Sequence, residues 1–355
     1  MSFSKDRPFP GNPRRPQYFG ESRLGMHPVR IWTVKMKMEA GKRMTQPKAL
    51  AIINEVRKAI IGKDTVVCKT LMAIIAGGHI LLEDNPGVGK TTMALAFSRA
   101  MSMSFSRVQF TPETMPSDVI GYSIVNQDTG RLEYRPGALL CNLFLADEIN
   151  RTSAKTQSAL LEAMEEGQVT VDGVSRQLPR PYTVIATQNP LGTAGTQPLP
   201  ESQLDRFMLR LSIGYPSAEQ EVGILKQTEG QRPLNLIQPA ASLDEVVQMR
   251  REAAGIYVAD DLYRYVADLC VATREDPALR LGVSPRAGGA LVRACRASAW
   301  MGGRDYVVPA DIHLLFYDVM AHRVVLEPQA KMSGRDPRSV LEGVMGRVPA
   351  PKLIK

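Results

Sequence analysis

Asn85-Pro86-Gly87-Val88-Gly89-Lys90-Thr91-Thr92 lies between the apolar run His79-Ile80-Leu81-Leu82 and a helix-forming stretch that reaches about Met101. Strand, Gly-rich loop and helix, in that order, are the setting of a phosphate-binding loop. Gly87 and Gly89 have no Cβ, so the backbone can approach phosphate oxygens and point N–H groups at them, and the helix N-terminus adds partial positive charge. Lys90 then reaches the β and γ oxygens, and the Thr91 hydroxyl is placed for Mg²⁺. The full pattern has Gly at position 84, where this chain has Asp84; Pro86-Gly87 sets the turn instead. Chance glycines in an ordinary strand–turn–helix connection are the competing reading of this loop taken alone.

Asp147-Glu148, after Leu143-Phe144-Leu145-Ala146, weakens that competitor. Two adjacent carboxylates at the end of a buried strand are costly unless they are used. Asp147 serves Mg²⁺ in this reading, and Glu148 faces the γ-phosphate, where it orients or deprotonates water. A helix cap is the plainer role for Asp147. Asn189 ends the next apolar run, Ile185-Ala186-Thr187-Gln188-Asn189, and offers an amide to the same water, although Asn before Pro190 is also ordinary turn chemistry. Arg206, in Gln203-Leu204-Asp205-Arg206-Phe207, and Arg286, in Ser284-Pro285-Arg286, are candidate γ-phosphate contacts; without context each is a surface arginine.

Strands are expected at 79–82, 107–111, 143–147, 183–189 and 207–213, separated by helices at 90–101 and 154–166, which argues for a parallel sheet covered on both faces. Two more helices precede the first strand, with Leu50, Ile53, Val56 and Ile60, then Val67, Leu71, Ile74 and Ile75, at helical spacing. Residues 119–138 and 168–177 read as hairpins, turning at Gln127-Asp128-Thr129-Gly130 and Asp172-Gly173. An α/β core over 45–231 is therefore expected, then an all-helical domain over 242–326 with helices at 243–254, 259–274, 284–301 and 309–323. A short Pro-rich tail over 327–355 would follow.

The formal charge of +8 is concentrated in residues 1–44, which carry ten Lys/Arg against Asp6, Glu21 and Glu39, so no basic nucleic-acid-binding face is indicated for the rest. That segment is rich in Pro, Gly, Arg and Ser without apolar periodicity and is read as disordered, with translation starting at Met44; a transit peptide is the lesser reading. Cys68, Cys141, Cys270 and Cys295 form no CxxC or Cys/His cluster, which argues against zinc and disulfide frameworks and for a reducing, cytoplasmic setting. No apolar run approaches membrane-spanning length.

From about Ile60 to Tyr215 the chain resembles the MoxR family of AAA+ ATPases. The resemblance rests on the loop 82–91, Gln109-Phe110-Thr111-Pro112, Pro116-Ser117-Asp118, Ala146-Asp147-Glu148-Ile149-Asn150-Arg151, Lys155 to Met164, Ala186 to Pro190 and Leu204 to Phe207; the helical region around Arg286 extends it to about residue 325. It implies a P-loop AAA+ core with a helical lid, ATP and Mg²⁺ as ligands, and a hexameric ring. It further implies that Asn189 is a sensor, Arg286 a second sensor on the lid, and Arg206 an arginine finger for the neighbouring subunit. The hairpin at 119–138 becomes an insertion in the second helix, and the one at 168–177 precedes the sensor strand. Family members are thought to remodel partners carrying von Willebrand factor A domains.

Three other readings stay open: a nucleic-acid-dependent ring motor, a magnesium-chelatase-type ATPase subunit, and a nucleotide-gated scaffold that hardly hydrolyses ATP. Asp172 at the second hairpin's turn, with only Arg176 nearby, argues against the first. Glu148 argues against the last.

Overall fold

The computed structural model describes residues 46–351, except 190–195, 197–198 and 229–232. The segment 1–44, its disorder and the start at Met44 lie outside the described residues.

The core strands are β1 (Ile80–Glu83), β2 (Phe105–Gln109), β3 (Gly121–Val125), β4 (Leu132–Pro136), β5 (Leu143–Asp147), β6 (Gln168–Val171), β7 (Val174–Gln177), β8 (Thr183–Gln188) and β9 (Leu209–Leu211). Five of them pair in parallel in the order β2-β5-β8-β1-β9. Side chains alternate across this sheet with the period of two that strands impose. Ile80 and Leu82 face helices Pro47–Arg57, Asp64–Ile75 and Lys90–Ala100, whereas Leu81 joins Phe144, Leu160 and Leu161 on the other side. Both faces are covered, as the sequence predicts.

Helix Ala154–Glu166 starts on a Ser153 cap that accepts from Thr156 N–H and stops at Gly167, whose φ of 65° only glycine adopts freely. It runs back from the carboxyl end of β5 and delivers the chain to the β6–β7 hairpin. Asp172 and Gly173, both at positive φ, form that hairpin's tight turn. The β3–β4 pair is the other predicted hairpin, preceded by a short helix, Pro116–Ile120.

The second domain carries the expected helices Leu243–Ala254, Asp260–Arg274, Pro285–Met301 and Pro309–Met320. It is not all-helical: β10 (Leu279–Leu281) pairs antiparallel with β11 (Val325–Leu326). Nor is 327–355 a tail throughout. Helices Pro328–Met332 and Pro337–Arg347 follow, with Val340, Leu341 and Val344 buried in the same core as the other lid helices. Arg347 pairs with Asp276, and the Arg338 guanidinium lies over the Tyr317 ring, so these basic side chains are packing contacts.

This lid docks at the amino ends of the core strands. Arg250 donates to Tyr182 O and to Thr183 Oγ1 (2.7 Å) where β8 begins. Buried Arg323 pairs with Asp205 (2.6 Å) and donates to the Phe207 and Met208 carbonyls just before β9.

Candidate active site

The loop leaving β1 turns through Gly87 (φ 86°) and Gly89 (φ 95°), conformations that cost glycine little and other residues much. Helix Lys90–Ala100 starts at Gly89 with no side-chain cap, leaving first-turn N–H groups to be satisfied from outside. Asn85, Pro86 and Gly87 are exposed, Val88, Gly89, Thr91 and Thr92 half-buried, and Lys90 buried. Lys90 Nζ donates to Asp84 O at 2.7 Å. Burial pushes the Lys90 ammonium below the usual lysine range, against the opposing pull of Asp84, Asp147 and Glu148.

Asp84 has a role the sequence did not reveal. Its buried carboxylate accepts from Ser212 Oγ (2.6 Å), Ile213 N–H (2.7 Å) and Gly214 N–H (2.9 Å), which fastens the phosphate loop to the segment after β9. Position 84 does not adopt a positive φ, so the backbone here does not require glycine.

Parallel pairing of β5, β8 and β1 brings Asp147, Glu148 and Asn189 to the same end of the sheet as this loop. Thr187 Oγ1 joins the acidic pair: it donates to Asp147 Oδ1 (2.6 Å) and accepts from Glu148 N–H (2.8 Å). Arg107 on β2 holds the other Asp147 oxygen through Nε (3.2 Å) and Nη2 (2.7 Å). Glu148 sits at φ 57°, a left-handed conformation uncommon away from glycine. Its carboxylate meets Asn189 Nδ2 (3.2 Å) and Arg151 Nη1 (2.7 Å). Asn189 Oδ1 is buried without a partner among the described residues.

Arg206 and Arg286 are elsewhere. Arg206 precedes β9 and Arg286 opens lid helix Pro285–Met301, and both meet Glu165, near the end of helix Ala154–Glu166. Arg206 also donates to Ser202 O. These residues lie at the amino end of the sheet; a four-residue strand such as β1, at roughly 3.3 Å per residue, puts about 13 Å between its ends. Arg151 and Arg210 pair within their own subunit, with Glu148 and with Glu83. Thr187, Arg107 and Glu165 carried no signal of their own in the sequence, because their partners are set by strand register and lid docking.

A family model described as "ATPase family associated with various cellular activities (AAA)" matches residues 79–209, and an AAA lid domain matches 271–344, which includes most of the two helices beyond residue 326. The chain is 44% identical over 299 residues to the uncharacterised protein YeaC of Bacillus subtilis (strain 168), covering 84% of this chain and 93% of that one. It is 38% identical over 310 residues to Chaperone MoxR1 of Mycobacterium tuberculosis, 85% of this chain and 82% of the relative. The chain belongs to the MoxR family of AAA+ ATPases. A crystal structure of a candidate ATPase from Cytophaga hutchinsonii superimposes on this MoxR-family chain with a TM-score of 0.80 at 35% identity, over 89% of this chain and all of the other. The P-loop AAA+ core and its lid are thereby shared.

The hairpins of this MoxR-family ATPase touch each other: the Arg176 guanidinium stacks 3.8 Å over the Tyr134 ring and donates to Val171 O and Val174 O. That arginine is occupied; the hairpins expose Tyr122, Val125, Leu132 and Val174 beside charges of both signs, Asp128, Arg131, Glu133 and Arg135. This surface suits a protein better than a phosphate backbone.

Proposed function

We propose that this protein hydrolyses ATP to ADP and phosphate and couples turnover to remodelling a partner protein. The observation that carries the reading is the convergence, at one end of the sheet, of an uncapped helix start behind Gly87 and Gly89 with the Glu148–Asn189 pair. Thr91 and Asp147 would hold Mg²⁺, which needs only one or two protein oxygens beside phosphate ones and, when bound, neutralises charge on those oxygens. Lys90 exchanges the Asp84 carbonyl for the β and γ oxygens. Glu148 orients or deprotonates the attacking water, whose second hydrogen Asn189 Oδ1, unpartnered among the described residues, would accept.

Arg206 acts on a neighbouring subunit's γ-phosphate in a hexameric ring, and Arg286 acts as a second sensor. The partner is a von Willebrand factor A domain protein, met through the apolar side chains that the hairpins expose, and the setting is the cytoplasm; four buried free thiols support a reducing compartment. Among the described residues no helix is long and apolar enough to cross a membrane.

The test is a pair of variants of the purified protein. Glu148→Gln is expected to bind ATP as the parent does while turnover falls by orders of magnitude, and Lys90→Ala to weaken binding itself. Equal loss of binding in both would overturn these roles; absence of ATP turnover in the parent would overturn the activity.

A further inference from the structure

Arg206 and Arg286 come from different domains yet share one carboxylate. Arg206 Nε lies 2.9 Å from Glu165 Oε2, and Arg286 Nη1 donates to Glu165 Oε1 at 2.9 Å. Arg206 Nη1 is fixed as well, donating to Ser202 O at 2.8 Å. Arg206 Nε is buried and meets no well-aligned acceptor, so Glu165 is the group that compensates its charge. The three side chains are 25%, 43% and 37% exposed for Arg206, Arg286 and Glu165, and ion pairs that wet contribute little to folding. Two guanidiniums set side by side repel, and only an anion between them keeps both in one place. Helix Ala154–Glu166 supplies that anion at the end of the sheet remote from the chain's own phosphate loop.

We propose that Glu165 is a positioning residue that holds Arg206 and Arg286 as one two-guanidinium unit, aimed at the γ-phosphate bound by a neighbouring copy of this chain. The proposal rests on the ATPase reading above. Glu165 takes one edge of each guanidinium, and the planar fork of each offers further N–H groups that suit phosphate oxygens. Both arginines then serve the same phosphate across the subunit boundary, without the rotamer loss of ordering two free side chains at each turnover. A mere surface salt bridge predicts none of this. A latch that keeps the arginines off the phosphate predicts the opposite sign.

The experiment measures ATP turnover and nucleotide binding for Glu165→Ala, Glu165→Asp and the triple variant Glu165→Ala/Arg206→Ala/Arg286→Ala. Glu165→Ala is expected to lower kcat roughly 10–100-fold with KM for ATP and the thermal midpoint near those of the parent, the range seen when orienting groups are removed. Glu165→Asp should recover part of the loss, because the charge returns. The triple variant should be no slower than Arg206→Ala/Arg286→Ala, since Glu165 would act only through those two residues. Rings mixed from Glu165→Ala and Lys90→Ala subunits should regain activity, because some interfaces then join an intact phosphate loop to an intact arginine pair. Parental or faster turnover in Glu165→Ala, a further loss in the triple variant, or no recovery in rings that exchange subunits would each overturn the proposal. A parent that hydrolyses ATP while Glu165→Ala behaves like it would sink this inference and leave the ATPase reading standing.

Discussion

Asp84 shows how one side chain can stand where a sequence pattern asks for none. Glycine is needed only where φ is positive or where a Cβ would collide, and position 84 has no positive φ. The carboxylate instead satisfies two backbone N–H groups and a hydroxyl at the end of β9. Restoring the pattern with Asp84→Gly is therefore expected to destabilise the fold by about 1–3 kcal/mol, the cost of leaving a buried donor such as Ile213 N–H unpaired. Denaturant titration checks this; an unchanged midpoint would show that water replaces the carboxylate. At this scale the candidates for the reacting roles were legible because chemistry restricts which side chains can serve. Asp84, Thr187 and Arg107 were not, since each acts through a partner distant in sequence, just after β9 for the first and on β5 for the other two.

Elements are tied together by a histidine at the start of β1. His79 Nδ1 accepts from Val184 N–H (3.0 Å) on β8, so Nε2–H donates to Met164 O (3.1 Å) in helix Ala154–Glu166. Burial lowers its pKa from 6.5 to about 4, the Met164 bond opposing and the Arg250 and Arg286 charges assisting. The unfolded chain thus takes up this proton first. Stability owed to neutral His79 is whole above about pH 6.5 and is lost as pH falls toward about 4. The thermal midpoint should drop over that window, and the drop should be shallower in His79→Gln; parallel curves would remove His79 as the cause. Elements with a strong inward pattern were legible: β5 is buried throughout, and helix Ala154–Glu166 has both a cap and a glycine stop. Helix Ala218–Thr228 escaped because Val222, Ile224 and Leu225 face out, leaving no apolar stripe on an inner face. The β10–β11 pair escaped because strands of three and two residues carry no periodicity and pair over a long span. Helix Pro337–Arg347 was hidden by its proline and basic residues, although Val340, Leu341 and Val344 have helical spacing.

Across the whole molecule, the phosphate loop and Arg206 occupy opposite ends of one parallel sheet. A subunit so built keeps Arg206 far from its own phosphate loop, a separation that the proposed ring of subunits would resolve. Arg206→Ala is expected to bind ATP nearly normally and to hydrolyse it slowly, since an arginine supplied to a transferring phosphoryl group is worth roughly 10³–10⁵ in rate. Mixing it with Lys90→Ala subunits should restore part of the turnover; none in rings that exchange subunits would exclude action in trans. In such a ring the lid's anchors would link neighbouring sites. Arg323 pairs with Asp205, and Arg286 shares Glu165 with the nearby Arg206, so a swing of the lid would pull on the arginine proposed to serve the next nucleotide. News of each hydrolysis would then pass from lid to neighbour and back by the same route, since such coupling is reciprocal, like meshed gears rather than a pawl.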